Sequence, residues 1–156
     1  MSSKPSSYRT PIGTKDIGPP ESDRWLAAIE TFHQIAKLAG FGLLQTPDFE
    51  DVGVFQRVGE GTDVVRKEMW RFSDRSDRQL ALRPEGTAPV CRSFVQHRPP
   101  TPWKVWYQGP FFRYEHPQAG RYRQFHQLGA EVLGSHDPDV DVEVILEVAP
   151  DRQAFG

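Results

Sequence analysis

Two stretches rich in strand-forming residues, 103 to 115 and 122 to 133, flank the short polar segment HPQAGR. Two long strands joined by so short a link must fold back as an antiparallel hairpin. That hairpin commits the chain to a sheet, because a lone pair of strands is marginal in water and needs a covered face. Side chains alternate along a strand, so the second arm has two distinct faces. Tyr122, Gln124, His126, Leu128, Ala130 and Val132 share one of them, and the later members suit a core. Arg123, Phe125, Gln127, Gly129 and Glu131 share the other. This second face offers a ring, an amide, a gap at Gly129 and a carboxylate. Arg113 and Glu115 share a face of the first arm. If Arg113 pairs with Phe125 they join the Gln127 and Glu131 surface, but residue pattern leaves the register open. A solvent-facing strand is the bland reading. The functional one is a guanidinium for phosphate, a ring for a base and polar groups for a zwitterion.

The rest of the chain supplies what covers that sheet. Residues 1–20 are rich in Ser, Pro and Gly and read as an extended lead-in, with PIGTKDIGPP able to lie across a neighbour. Trp25, Leu26, Ile29, Phe32, Ile35, Ala36 and Leu38 recur at helical spacing, with Ser22 as the expected cap and Gly40 as the stop. FGLLQTPDFE reads as a short strand broken at Pro47, and VFQRVG as one or two helical turns. KEMWRF and RQLALR read as strands around SDRSD. PEGTAPVCRSFVQH is a turn entering a helix, capped by Thr87 with Pro89 in its first turn. DPDVDVEVILEVA is a helix capped by Asp137 or Asp139. Sequential strands on short links favour an α+β layout, an antiparallel β-sheet flanked by helices. The expected organisation is an extended segment at 1–20, a core over 21–149 and an irregular tail at 150–156.

Totals narrow the function classes. The 156 residues suffice for one domain with its own core, and the net charge is −2. That charge argues against a general nucleic-acid coat but permits a local basic site, which Arg113, Arg121 and Arg123 form. No apolar run approaches a membrane span, and the start lacks the apolar segment of a signal peptide. The single cysteine, Cys91, sits in an apolar helical pattern and reads as a buried thiol in a reducing, cytoplasmic setting. His33, His97, His116, His126 and His136 lack metal-ligand spacing. There is neither a glycine-rich phosphate loop with its lysine nor a serine on a nucleophile elbow.

Four segments, GFGLLQTPDFE, RVGEGTDVVRKEMWRF, LALRPEGTAPVCR and YQGPFFRYEHPQAGRYRQFHQLGAEVLG, resemble the histidyl-tRNA synthetases, which are class II aminoacyl-tRNA synthetases. The likeness runs from about residue 9 to 148 and matches the N-terminal part of the catalytic domain. The helix ending at Gly40 with the Pro47 strand is similar to motif 1, and the Arg113 hairpin to motif 2. The resemblance implies formation of histidyl-adenylate from histidine and ATP, with Mg²⁺, then transfer to tRNA(His). It implies histidine binding by Glu85, Gly86, Thr87, Arg113, Gln127 and Glu131. It implies ATP binding by Arg113, Glu115, Arg121 and Phe125, with Arg113 catalytic. His116, Gln118 and Arg123 would face the tRNA acceptor end, although family members often carry arginine where His116 stands. Motif 1 implies a homodimer. Motif 3, a second catalytic arginine and an anticodon-binding domain have no counterpart here. The expectation is a front part of a synthetase with little or no ligase activity alone and with exposed apolar area. Two other classes remain open: a non-catalytic synthetase paralogue acting as regulatory subunit in histidine biosynthesis, and a stand-alone tRNA-binding module.

Overall fold

The structure is a computed structural model that describes residues 8–59, 67–114 and 120–148. Glu115, His116, Gln118 and the expected tail at 150–156 lie outside the described residues. In chain order the elements are α1 (Glu21–Leu38), β1 (Gly42–Leu43), β2 (Phe49–Asp51), α2 (Val52–Gly59), β3 (Arg71–Ser73), β4 (Gln79–Leu82), α3 (Thr87–His97), β5 (Trp103–Phe112), β6 (Gln124–Leu133) and α4 (Pro138–Val148). They form two three-stranded sheets, β1-β5-β6 and β2-β4-β3.

The α+β layout is as expected. Pairing is antiparallel except between β1 and β5, which run parallel, Gly42 opposite Val105 and Leu43 opposite Trp106. The parallel pair is possible because α2, the second sheet and α3 together bridge β1 to β5. The β5–β6 hairpin pairs Phe111 with Phe125 and Phe112 with Gln124. Arg113 therefore stands opposite Arg123, to whose carbonyl it donates its backbone N–H at 3.0 Å, and not opposite Phe125. The offset is two residues, so the alternation is preserved and Arg113 still shares a face with Phe125.

Helix ends show what local sequence settled. After Leu38, Gly40 adopts φ +80°, its N–H reaches the Lys37 carbonyl at 3.1 Å, and the Phe41 N–H reaches the Ala36 carbonyl at 2.8 Å. This paired closure satisfies two orphan carbonyls and needs the left-handed residue that glycine supplies. The start of α1 differs from expectation. Pro20 precedes the helix, no side-chain bond caps it, and Ser22 already lies inside the first turn. In α4 Asp137 does cap, accepting the Asp139 N–H at 3.0 Å.

Each sheet face has its own cover. The even face of the hairpin carries Trp106, Leu128, Ala130 and Val132 and packs on Phe32, Ala36, Ala39 and Phe41, with Val144 of α4. The second sheet and its helices close over Val52, Phe55, Met69, Ala81 and Ala88. The odd face of the hairpin is covered by the Arg83–Thr87 turn and α3. The N-terminal segment lies against the start of β6, where the Gly13 carbonyl accepts the N–H groups of Arg123 and Gln124 at 2.7 and 3.3 Å.

Candidate active site

The site is built on the odd face of β5–β6, where the RPEGT turn crosses it. The cap that sequence assigned to Thr87 falls to Glu85. Thr87 is the first residue of α3 and makes no capping bond. Glu85 caps the helix instead, accepting the Thr87 N–H at 2.6 Å and the Ala88 N–H at 3.1 Å. A carboxylate at a helix N-terminus also meets the positive end of the backbone dipole. With its backbone N–H so occupied, Thr87 turns its hydroxyl to the Glu131 carboxylate, donating to Oε1 at 2.7 Å. That bond joins α3 to β6 and places both carboxylates beside one another. Burial pushes the Glu85 carboxyl up from its ordinary value, and the neighbouring Glu131 charge adds to the push, while the two helix N–H groups oppose it.

Gly129 was expected to leave a gap, but Tyr107 fills it. Tyr107 is the cross-strand partner of Gly129. A Cβ built on Gly129 would stand 2.4 Å from the Tyr107 ring, and one built on Gly86 would stand 2.3 Å from it. The ring is thus held between the strand and the RPEGT turn, and it sets the distance between Glu85 and the β6 face. Burial, then the charges of Glu131 and Glu85, push the Tyr107 hydroxyl up to about 12. The hydroxyl therefore stays protonated at neutral pH. Gln127, one step along the face, keeps its Oε1 buried with no hydrogen-bond partner among the described residues. Buried acceptors of this kind are costly unless something donates to them.

At the other end of the face Arg113 stands half-buried. Its Nε donates to the Pro84 carbonyl at 2.9 Å, and its guanidinium lies 5.1 Å from the centre of the Phe125 ring. Arg113, Phe125, Gln127 and Glu131 are therefore on one side of the sheet, with Glu85, Gly86 and Thr87 facing them. Arg121 is exposed, ahead of the start of β6. The Arg123 stem packs on Gly13 and its guanidinium lies 4.1 Å from the Tyr114 ring centre. Arg123 thus stands beside the lead-in segment, just before β6. Cys91 lies one turn along α3 from Thr87, half-buried where a buried thiol was expected, and burial pushes its thiol up.

Sequence reasoning missed two residues of this assembly. Tyr107 was signalled by a large side chain in β5 with glycines available across from it, which only the register reveals. Arg83 was signalled by an arginine closing the apolar strand LALR. It is 4% exposed and makes a salt bridge from Nη2 to Asp48 at 2.9 Å. Among the described residues no group of three ligating side chains gathers to hold a metal.

The chain matches known proteins along most of its length. The family described as histidyl-tRNA synthetase matches residues 13–151. A histidine–tRNA ligase of Natranaerobius thermophilus is 55% identical over 152 residues, covering 95% of this chain and 36% of its own length. One from Rhodococcus erythropolis is 52% identical over 147 residues, covering 92% and 35%. Among solved structures, the apo histidyl-tRNA synthetase of S. aureus superposes with a TM-score of 0.79 at 37% identity, over 96% of this chain and 35% of that one. A Bacillus halodurans protein described as an ATP phosphoribosyltransferase regulatory subunit/histidyl-tRNA synthetase superposes with a TM-score of 0.79 at 25% identity, over 93% and 37%. The chain spans about a third of the length of the curated relatives it matches. With the matched segment holding both the RPEGT turn and the Arg113 hairpin, the chain belongs to the histidyl-tRNA synthetase family.

Proposed function

We propose that this chain supplies the histidine- and ATP-binding surface of a cytoplasmic histidine–tRNA ligase that works as a homodimer. In the proposed reaction a carboxylate oxygen of histidine bonds to the α-phosphorus of ATP and pyrophosphate leaves. A hydroxyl at the 3′ end of tRNA(His) then bonds to the histidyl carbonyl carbon, loses its proton, and AMP leaves. No protein nucleophile is needed, so catalysis rests on positioning and on positive charge at the phosphoryl oxygens. Arg113 supplies that charge from a fork that can span the substrate carboxylate and the α-phosphate. Phe125, beneath it, stacks the adenine, with Glu115 at the base edge and Arg121 at the outer phosphates. The histidine lies toward Glu85, Thr87, Gln127 and Glu131. Its ammonium offers three donors to acceptors that include the buried Gln127 Oε1, which has no partner among the described residues. His116, Gln118 and Arg123 serve the tRNA acceptor end. Magnesium enters with ATP as its counter-ion.

One observation carries this reading: a guanidinium over a ring and the Glu131 carboxylate share one face of the hairpin, and the RPEGT turn sets Glu85 and Thr87 against that face. Alone, the chain turns over little, since it spans 36% of the length of a matched ligase. A histidine-dependent pyrophosphate-exchange assay tests that statement, and robust turnover by residues 1–156 contradicts it. Calorimetric titration with histidine and with a non-hydrolysable ATP analogue tests the surface itself. Binding of both, weakened by Arg113→Lys, is the expected result, because one ammonium cannot make the forked contact. In a turnover-competent form, loss of Arg113 costs on the order of 10³-fold in rate. The Bacillus halodurans neighbour keeps the regulatory-subunit reading as the alternative. Capture of an ATP phosphoribosyltransferase by a chain that binds no ATP would favour it.

A further inference from the structure

We propose that Arg83 is a positioning residue for Arg113, tying its orientation to the Thr46–Asp48 corner between β1 and β2. The functional weight of this rests on the reading above, but the linkage is a property of the chain itself. The Arg83 guanidinium is almost completely enclosed and its donors are spent on both sides of the molecule. Nη1 donates to the Thr46 carbonyl at 3.0 Å and to Thr46 Oγ1 at 3.1 Å, and Nη2 pairs with Asp48 at 2.9 Å. Nε donates to the Pro110 carbonyl of β5 at 2.9 Å, and the plane lies 4.5 Å from the Phe111 ring centre. Such a planar fork can be satisfied in one orientation only, which a lysine could not reproduce.

The backbone of Arg83 is bound at both ends as well. Its N–H donates to the Asp48 carbonyl at 2.9 Å, and its carbonyl accepts the Phe112 N–H at 3.0 Å. Gly109 lets the guanidinium approach, since a Cβ there would stand 2.4 Å from Nη2. The next residue, Pro84, is fully buried, and its carbonyl is the acceptor for Arg113 Nε. The sequence of contacts is therefore continuous: corner, Arg83, Pro84 carbonyl, Arg113. A shift of the Thr46–Asp48 corner reaches the phosphate-facing guanidinium through one buried residue and one peptide. The functional consequence is that groups far from any substrate set the angle at which Arg113 meets one.

The test uses the ¹⁵N-labelled chain without ligand. The Arg113 Nε–H signal is assigned by its loss in Arg113→Lys. In Arg83→Lys that signal moves toward the position of exposed arginines and its hydrogen exchange quickens about tenfold, the factor expected for one lost hydrogen bond. Asp48→Asn and Thr46→Val each remove one partner of Arg83 and move the same signal in the same direction by less. If Arg83→Lys fails to fold, these two variants decide. An Arg113 signal unmoved in the variants that fold, whatever their melting temperatures, overturns the proposal. The outcome is separable from the ligase reading: loss of nucleotide binding in titration sinks that reading and leaves the linkage standing.

Discussion

Glu85 shows how a single carboxyl serves two demands. Burial holds its folded pKa above the ordinary carboxylate value near 4.3. A raised carboxyl stabilises the fold fully below the unfolded pKa and loses that contribution as pH rises through the folded pKa. Thermal melts from acid to neutral pH should therefore show Glu85→Gln gaining on the parent as pH increases. A stability difference independent of pH would contradict the argument. His126 works with the opposite sign. Burial, then the Arg83 charge, hold it below its ordinary value, and its ring lies 5.0 Å from that of Trp25. Its contribution is present above the unfolded pKa and is lost as pH falls through the folded one. Quenching of Trp25 emission by a charged imidazole should begin only below a pH of about 6.5. It should vanish in His126→Gln, with Trp25→Phe identifying the signal.

At the scale of elements, the β5–β6 hairpin and α3 are joined by a ring and a bond. Tyr107 sits between Gly86 and Gly129, and Thr87 reaches Glu131 across the same junction. Gly129→Ala should destabilise the chain by about 1–3 kcal/mol, the range for overpacking a filled site. Denaturant midpoints measure this, and Tyr107→Leu in the same background should restore part of the loss. An unchanged midpoint in Gly129→Ala would mean that the ring moves aside freely. Outside this junction, Arg92 of α3 donates from Nε to Glu50 of β2 at 3.2 Å and also bonds it through Nη2. That pair fixes the other flank of α3 to the second sheet, so the RPEGT turn is held from both sides.

For the molecule as a whole, several large apolar side chains among the described residues stand exposed. Leu26 and Leu38 of α1, Leu43 of β1, Phe49 of β2 and Val95 of α3 are each at least half exposed. Apolar surface gathered on α1 and the first strands is what an association face presents. The sedimentation coefficient should rise with protein concentration and should flatten in Leu26→Glu/Leu43→Lys. A monomer at every concentration in the parent chain would remove the argument for a dimer through this face.

Much of this was legible in residue pattern because it depends on near neighbours. Alternation put Phe125, Gln127 and Glu131 on one face and left Arg113 to the register, helical spacing gave α1, and Gly40 and one of Asp137 and Asp139 marked helix ends. Each follows from backbone periods and local hydrogen bonding. Contacts between segments distant in sequence were not legible. The two-residue register offset, the capping of α3 by Glu85 in place of Thr87, the Tyr107 ring between two glycines and the buried Arg83 clamp depend on which segments meet and at what depth. Burial decides which donors must find partners, and no window of neighbouring residues carries that information. The sequence alone therefore determined which groups line the hairpin. Only the tertiary structure decided which of them touch, because packing, not pattern, sets the distances between strands, turn and helix.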